Sequence, residues 1–433
     1  MIVRRYLLAL ACVPFLACAT ADKGGSGGST GGSTGSGTGG TKATGGAVGS
    51  TGGSPGTGGA NTNIPGLAMG GPFAFPQSKV SGTCTLTTVA NAASATMAAY
   101  SSWKSTYVTS SGAPSGALRV QDPQTLNCAG NNVSNGTVSE GMGYGMLAAV
   151  YMGDRTTFDQ LLAYVNAHLD PKGLMTWCLN SSGNTIGSYS ASDADEDIIW
   201  ALLMASDQWS STSYLITAQN MITVMRNSSL FSDGTLQNGD NTNTADFLNP
   251  DYFSPAYYRV FAKATGDTFW SSYVIDSNYK HLAALTGTDG LVPDESDLEN
   301  ETSCSTCKAT YGYDACRTPW RIAMDYCFNG EARALTYLQK VGAFFNGVGA
   351  ANIGDGYSLT GQQTSGNHNM AFIGPAGTAG MIGMGGLQTL LDGAFTFGVS
   401  NPGNGNDAYF PQSLRVVTML MMSGNFLDYT QQQ

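Results

Sequence analysis

One pattern recurs along most of this chain and constrains its fold more than any other feature. A polar or glycine-rich loop leads into a run in which apolar residues recur at positions i, i+3, i+4 and i+7, whereas runs with a period of two are few and short. The clearest runs cover residues 145–169, 197–209, 214–227, 254–267, 318–345, 376–395 and 413–426. Many of them carry Ala, Gly, Ser or Met on the apolar side, which allows other helices to approach both faces. The pattern predicts an all-α fold in which inner and outer helices alternate.

The composition changes once, near residue 75, and this change divides the chain. Residues 23 to about 65 are nearly all Gly, Ser, Thr and Ala and can bury almost no apolar area, so we predict a flexible linker at residues 22–75. Residues 76–433 carry nearly all of the Trp, Tyr and Phe, and no second low-complexity break follows. We therefore expect one large monomeric domain, built as a toroid or barrel that can grow without thickening its core.

Residues 1–21 have the features of an export signal. Arg4 and Arg5 precede an apolar run that is too short to span a bilayer, and residues 19–21 are small. Cleavage after Ala21 would release a soluble protein, whereas the stretch FLAC, which ends at Cys18, resembles a site for lipid attachment. The sequence leaves both alternatives open. Either one predicts a protein that is secreted or tethered to the cell surface, with no other contact with a membrane.

Charge and histidine content argue against two classes of function. The formal net charge is −11 and no basic cluster stands out, so nucleic acid is not an expected partner, because phosphate binding needs basic patches. The histidines are His168, His281 and His368, and the chain has no nucleophile elbow, which argues against a serine hydrolase. We expect His368 to be structural or to lie at the edge of a cleft.

Seven cysteines follow the export signal, and four of them are close together in the sequence. Cys304, Cys307, Cys316 and Cys327 superficially suggest a zinc site, but their spacing differs from that of a zinc ribbon. Export favours disulfides. We therefore expect no metal and predict pairing among these four cysteines. Because seven is an odd number, one thiol is either free or paired with a partner.

Carboxylates are concentrated at the starts of three predicted helices, although only 11% of the residues are charged. The stretch SDADED places Asp193, Asp195, Glu196 and Asp197 at one helix start, and helix capping needs only one or two acids. Glu140 begins a second helix, in TVSEGMGYGM. The three glycines there weaken the first turns, so they indicate a ligand or another backbone lying close.

The third acid is Asp314, in YGYDACRTPW, where Tyr313 and Arg317 accompany it. Paired carboxylates beside aromatic rings are what glycosidic hydrolysis needs, because one acid must be protonated and the other ionised. Sugars also stack their apolar faces on aromatic side chains. The candidates for such stacking are Trp177, Tyr252, Tyr313 and Tyr357.

Several of these motifs together resemble glycoside hydrolase family 8, in order and in spacing. They are SEGMGYGM, ASDADEDIIWALLMA, NPDYFSPAYYRVFA, YGYDACRTPWRIAMDY, NHNMAFIGP and SLRVVTMLMMSGNF, and the likeness covers about residues 80 to 430. The resemblance implies an (α/α)6 barrel with six inner and six outer helices. It also implies an inverting, endo-acting mechanism on β-1,4-linked glycans without a cofactor.

The resemblance also implies roles for individual residues. Glu140 would be the general acid and Asp314 the general base that activates water. Asp193 would hold the sugar at the cleavage point, and Arg317 would orient the base and touch the substrate. The residues expected to line the substrate-binding subsites are Trp177, Tyr252 and Tyr313.

The expected mechanism makes predictions about geometry and charge. An inverting site needs room for water, so the carboxyl groups of Glu140 and Asp314 should be about 6.5–9.5 Å apart rather than about 5 Å. Asp193 should raise the pKa of Glu140 by like-charge repulsion, and Arg317 should keep Asp314 ionised. Of the four acids at one helix start, some should cap the helix while Asp193 faces the cleft.

One departure from the family pattern bears on the substrate. After NGD at residues 238–240 this chain reads NTNTADFLNP, whereas cellulase-like members carry a Trp platform shortly downstream. We expect a β-1,4-glucan as the polysaccharide partner, with xylan as the alternative and chitosan as a weaker one. A catalytically silent, surface-tethered glycan-binding protein is the alternative from another class.

Overall fold

A computed structural model describes residues 71–241, 247–297, 307–401 and 409–431. The predicted signal at residues 1–21, nearly all of the linker predicted at 22–75, and Cys304 lie outside these ranges. Within them the chain is mainly helical, which confirms the prediction from periodicity. The twelve α-helices of the described ranges are α1 (Ala92–Tyr107), α2 (Ser139–Tyr151), α3 (Arg155–Ala167), α4 (Ser192–Gln208), α5 (Thr212–Ser228), α6 (Pro255–Thr265), α7 (Ile275–Leu285), α8 (Thr318–Asn329), α9 (Ala332–Val348), α10 (Met370–Ala379), α11 (Gln388–Ser400) and α12 (Tyr409–Met422).

These helices form two concentric layers. The even-numbered helices make an inner ring, in which α2 packs against α4 and α12, α8 packs against α6 and α10, and α10 packs against α12. Helices α4 and α6 meet through side chains, where the rings of Trp200 and Tyr257 stack with their centroids 4.3 Å apart. The odd-numbered helices lie outside, for example α3 on α2, α5 on α4 and α9 on α8. The arrangement is the predicted (α/α)6 barrel.

Composition explains which helices lie inside. Every residue of α4, α10 and α12 is buried, and so is every residue of α2 except Glu140. Small residues permit the close packing: a Cβ added to Gly143 of α2 would lie only 2.8 Å from the Cβ of Asp197 in α4. Outer helices such as α5 bury a single apolar stripe. Although the inner helices are apolar, none of the helices in the described ranges is long and apolar enough to cross a membrane.

Short strands complete the fold, and four of them form a sheet that the sequence analysis did not anticipate. This antiparallel sheet has the order β3-β4-β5-β6, and β4 leads directly into α2. A disulfide between Cys128 and Cys178 joins the end of β3 to β5. The strands are β1 (Val108–Thr109), β2 (Arg119–Val120), β3 (Asp122–Cys128), β4 (Asn131–Val138), β5 (Thr176–Leu179), β6 (Thr185–Ser190), β7 (Phe247–Leu248), β8 (Ser296–Asp297), β9 (Thr310–Tyr311) and β10 (Tyr357–Ser358).

The predicted pairing among Cys304, Cys307, Cys316 and Cys327 is wrong for two of these residues. Cys327 forms a disulfide with Cys84, in the segment that precedes α1, and Cys316 is a buried free thiol. Cys307 is disulfide-bonded. The helical turns between Cys316 and Cys327 separate them by about 16 Å at 1.5 Å per residue, which is beyond the reach of a disulfide.

Candidate active site

A cleft opens at the end of the barrel where the inner helices begin. Its volume, with its open mouth included, is about 1300 Å³. It is lined by Glu140 and Asp193 from the first turns of α2 and α4, by Arg317 directly before α8, and by Tyr409, the first residue of α12. The positive ends of these helix dipoles therefore face the cleft, where they favour carboxylates.

The guanidinium of Arg317 connects the carboxylates of this cleft. Its Nη1 lies 2.5 Å from Glu140 Oε2 and 2.7 Å from Asp193 Oδ2. Its Nη2 lies 2.7 Å from Asp251 Oδ2 and 3.4 Å from Asp314 Oδ1. The Arg317 side chain is only 2% exposed, so water screens these interactions weakly. One cation thus contacts four carboxyl groups, and the excess negative charge favours a proton on one of them.

Glu140 is a carboxyl group that these surroundings keep protonated. Burial raises the pKa of Glu140 to about 8 against the attraction of Arg317, and the negative charges of Asp193 and Asp314 act in the same direction as burial. The predicted effect of Asp193 therefore has the right sign, but burial is the larger cause. The Glu140 side chain remains 21% exposed at the cleft. At neutral pH it is a protonated and accessible acid, which is what proton donation to a leaving group needs.

Asp314 lies on a different element and faces two cations. It directly precedes the short 3-10 turn Ala315–Arg317, which leads into α8. Its Oδ2 lies 3.7 Å from Lys308 Nζ, in addition to the contact of Oδ1 with Arg317. The side chain is 17% exposed, so water can reach it. The separation of about 6.5–9.5 Å between the carboxyl groups of Glu140 and Asp314 stays a prediction.

A buried carboxyl group that the sequence analysis missed organises the loop around Asp314. Asp294 Oδ1 accepts hydrogen bonds from the backbone N–H groups of Gly312 at 2.9 Å, Asp314 at 3.2 Å and Ala315 at 2.8 Å. Burial raises the pKa of Asp294 to about 7, the charge of Asp314 adds to this, and the hydrogen bonds oppose it. No local sequence pattern identifies Asp294, because its partners are 18 to 21 residues away along the chain.

The four acids at the start of α4 each have a tertiary partner, and none of them caps the helix. The N-cap position is Ala191, and all four side chains are buried. The prediction that some of them cap the helix is therefore wrong, because these carboxylates bind groups on neighbouring elements instead of the N–H groups of their own helix. In the order Asp193, Asp195, Glu196 and Asp197, the partners are the guanidinium of Arg317, the backbone N–H of Met175, the hydroxyl of Tyr258 and the guanidinium of Arg321.

Two of the aromatic candidates lie in the cleft. Trp177 of β5 and Tyr252 both line it, and the Tyr252 ring centroid is 5.3 Å from the guanidinium carbon of Arg317. Asp251 is the residue before Tyr252 and is fully buried beneath the site. The motif NPDYFSP, in the turn before an inner helix, was the signal from which Asp251 could have been identified.

The other two aromatic candidates point elsewhere. The Tyr313 hydroxyl donates a 2.7 Å hydrogen bond to Asp355, and its ring packs edge-on against Phe372, so it does not line the cleft as the described residues define it. Tyr357 is 1% exposed in the core. His368 makes a structural contact, with Nδ1 2.8 Å from the carbonyl oxygen of Ile353. Within the described ranges, no group of three or more His, Cys, Asp or Glu side chains is placed to hold a metal ion.

Comparison with known proteins identifies the family. Residues 73–424 match the profile of glycosyl hydrolases family 8. Endoglucanase C of Ruminiclostridium cellulolyticum is 38% identical over 333 residues, which are 75% of this chain and 70% of the relative. Endoglucanase A of Acetivibrio thermocellus is 37% identical over 76% of this chain and 69% of the relative. The apo structure of a β-1,3-1,4-glucanase from Paenibacillus sp. X4 superposes with a TM-score of 0.73 at 31% identity and covers 82% of this chain and 98% of that one. This chain therefore belongs to glycosyl hydrolase family 8 and is a glycoside hydrolase.

Proposed function

We propose that this protein is an endo-acting, inverting glycosidase that cleaves β-1,4 linkages in glucans, with Glu140 as general acid and Asp314 as general base. The observation that carries the proposal is the arrangement of Glu140, Asp193 and Asp314 around the buried guanidinium of Arg317 in one cleft. These groups come from three separate elements. A cleft that holds one protonated acid and a second carboxylate open to water has the two groups that inversion requires.

The roles follow from the chemistry of each group. Glu140 donates its proton to the glycosidic oxygen while the bond from that oxygen to the anomeric carbon breaks. Asp314 takes a proton from a water molecule, and the water oxygen attacks the anomeric carbon from the opposite face. Glu140 ends the step ionised and Asp314 ends it protonated, and exchange with solvent restores both. Asp193 holds the sugar at the cleavage point, and Arg317 fixes the positions of the carboxylates.

The lining of the cleft supports a neutral glycan as substrate. Apart from the charged groups around Arg317, uncharged polar side chains and aromatic rings make up much of it, among them Gln124, Asn127, Trp177 and Asn241. Amide groups can bind sugar hydroxyls and aromatic rings can stack on sugar faces. Two endoglucanases and a β-1,3-1,4-glucanase are among the relatives, so we propose cellulose derivatives and mixed-linkage β-glucan as the first substrates to test.

The decisive experiment measures the release of reducing sugars from carboxymethyl cellulose, mixed-linkage β-glucan, xylan and chitosan. Glu140→Gln keeps the shape of the side chain but cannot donate the proton, so we expect a loss of at least about 100-fold in kcat. Proton NMR of the first products should show the α-anomer. Activity confined to xylan would replace the glucanase assignment. Binding without hydrolysis of any of the four would favour a glycan-binding protein, and a fully active Glu140→Gln variant would remove Glu140 from the mechanism.

We propose further that the protein is exported and acts outside the cell as a monomer. The support lies in the sequence of residues 1–21 and in the linker at 22–75, which would separate the domain at 76–433 from an anchor. Intact-mass measurement of the mature protein distinguishes the two processing routes. Cleavage after Ala21 leaves an unmodified new N-terminus, whereas lipid attachment leaves an acylated Cys18. A mature chain that retains residues 1–17 would contradict export by either route.

A further inference from the structure

The four-stranded sheet forms one wall of the cleft. Its first hairpin, β3–β4, is bent so that the tip of the hairpin approaches β5. Cys128 pairs with Asn131 at the start of β4, whereas Cys178 pairs with Val138 at the end of β4. A straight β4 would hold these two places about 24 Å apart. The Cα atoms of Cys128 and Cys178 are nevertheless only 6.2 Å apart, because their disulfide joins them. The hairpin β3–β4 therefore curls over β5.

The bend has a local cause in the backbone of β4. Asn135 adopts a φ of 55°, in the left-handed region, and the register of β3 against β4 shifts between Asp122 and Thr125. Such irregularities bend and twist a strand pair. The disulfide then fastens the curled tip to β5, and its two cysteines form a small buried apolar cluster with Val133.

The curled hairpin and Trp177 face the same part of the cleft. Leu126 and Asn127, next to the tip of the hairpin, line the cleft together with Trp177. Leu126 and Trp177 also pack against the apolar cluster that contains the disulfide. Because Cys178 is the neighbour of Trp177 in β5, the disulfide links the tip of the hairpin to the strand that carries Trp177.

The indole of Trp177 lies against Gly187 of β6. A Cβ added to Gly187 of β6, which pairs with Cys178, would collide with Nε1 and the adjoining carbons of the indole. The absence of a side chain at Gly187 therefore allows the indole ring to pack against the neighbouring strand. The buried Nε1 of Trp177 has no hydrogen-bond partner among the described residues. A buried donor without a partner is costly, so this position of the ring depends on the packing around it.

We propose that the Cys128–Cys178 disulfide holds the curled β3–β4 hairpin in place as one side of the subsite that the family resemblance already implies at Trp177. This inference rests on the proposed glucanase function and adds to it a positioning role for two residues that do not touch the substrate. A neutral sugar ring stacks on Trp177, and its hydroxyls bind the polar groups at the hairpin tip, such as Asn127. Without the disulfide the curled hairpin opens, and this subsite loses one side.

The test compares two variants, each of which lacks one disulfide. The double variant Cys128→Ser, Cys178→Ser should raise KM for mixed-linkage β-glucan about tenfold, which corresponds to ~1.4 kcal/mol, while kcat changes less than about twofold. The matched control, Cys84→Ser with Cys327→Ser, removes a disulfide that is remote from the cleft and should leave KM unchanged. Circular dichroism verifies that both variants are folded at the assay temperature.

A second variant keeps the disulfide and moves the ring. Gly187→Ala should displace the Trp177 indole and raise KM in the same way, with the same kcat. An unchanged KM in both Gly187→Ala and the Cys128, Cys178 variant would overturn the inference. Titration of cello-oligosaccharides into each protein in the Glu140→Gln background measures binding without turnover. It separates the two proposals: weaker binding in the variants supports the subsite even if the wild type hydrolyses none of the four glycans, and equal binding overturns it.

Discussion

At the scale of single residues, Arg317 determines the electrostatics of the site. Its guanidinium is buried and contacts Glu140, Asp193, Asp251 and Asp314. Arg317, even together with Lys308 beside Asp314, cannot balance four negative charges in a weakly screened cleft, so a proton stays on at least one carboxyl group. Glu140, at the accessible edge of this cluster, is positioned to pass that proton to a substrate.

The pKa of Glu140 predicts how the activity declines at alkaline pH, which is the alkaline limb of the pH profile. With the pKa of Glu140 at about 8, the acid is protonated below that pH and loses its proton above it. We therefore expect kcat/KM to fall about tenfold per pH unit above pH 8, because kcat/KM reports the free enzyme. The pH profile on mixed-linkage β-glucan checks this. A flat profile up to pH 10 would contradict the assignment.

A substitution at Asp193, beside Glu140, should shift the alkaline limb of the pH profile to lower pH. Asp193→Asn removes a negative charge that raises the pKa of Glu140, so the decline in activity should move to lower pH. Activity should also fall at every pH if Asp193 holds the sugar as we propose. Asp276→Asn is the control, since Asp276 is 72% exposed and pairs with Arg333 away from the cleft. If the two variants have the same alkaline limb, Asp193 does not act on Glu140.

At the scale of elements, the contact between α2 and α4 brings Glu140 and Asp193 together. Gly143→Ala would push a methyl group against Asp197 and the carbonyl of Ala194, so we expect a loss of about 1–3 kcal/mol in the free energy of unfolding. The control is Gly347→Ala in α9, where nothing lies within 4 Å of the added Cβ. That variant should be more stable by up to about 1 kcal/mol. Urea unfolding measures the free energy of unfolding of both variants. Equal effects of the two substitutions would show that helix propensity, and not the contact with α4, determines the change in stability.

The loop before α8 depends in the same way on Asp294. Asp294→Ala leaves three backbone N–H groups without their acceptor, so we expect kcat to fall more than about tenfold and stability to fall by about 1–3 kcal/mol. Asp294→Asn keeps an acceptor oxygen and should be the milder change. Measuring kcat and Tm for both variants tests this order. Full activity in Asp294→Ala would show that Asp314 keeps its position without Asp294.

At the scale of the whole molecule, the barrel closes where α12 meets α2, and the segment before α1 is fastened to the rest of the chain. The backbone N–H of Thr85 binds the carbonyl of Met381 at 2.7 Å, and the Cys84–Cys327 disulfide spans 243 residues. Because a cross-link over a long loop restricts the unfolded chain, Cys84→Ser with Cys327→Ser should lower the free energy of unfolding by about 2–4 kcal/mol. Urea unfolding without reductant measures this loss. An unchanged midpoint would contradict it.

The sequence by itself determined the helical fold, its layered arrangement and the family. The helical periodicity of the apolar residues and the positions of small residues are local features of the sequence, and they predict helices that pack on both faces. Motifs such as SEGMGYGM and YGYDACRTPW likewise identify Glu140 and Asp314. Only the tertiary structure showed how these groups are held. Asp251 and Asp294 are buried carboxyl groups whose partners lie on other elements, and the Cys84–Cys327 and Cys128–Cys178 disulfides join residues that are 243 and 50 positions apart. Such contacts depend on which elements the barrel brings together, and no local pattern of residues encodes that proximity.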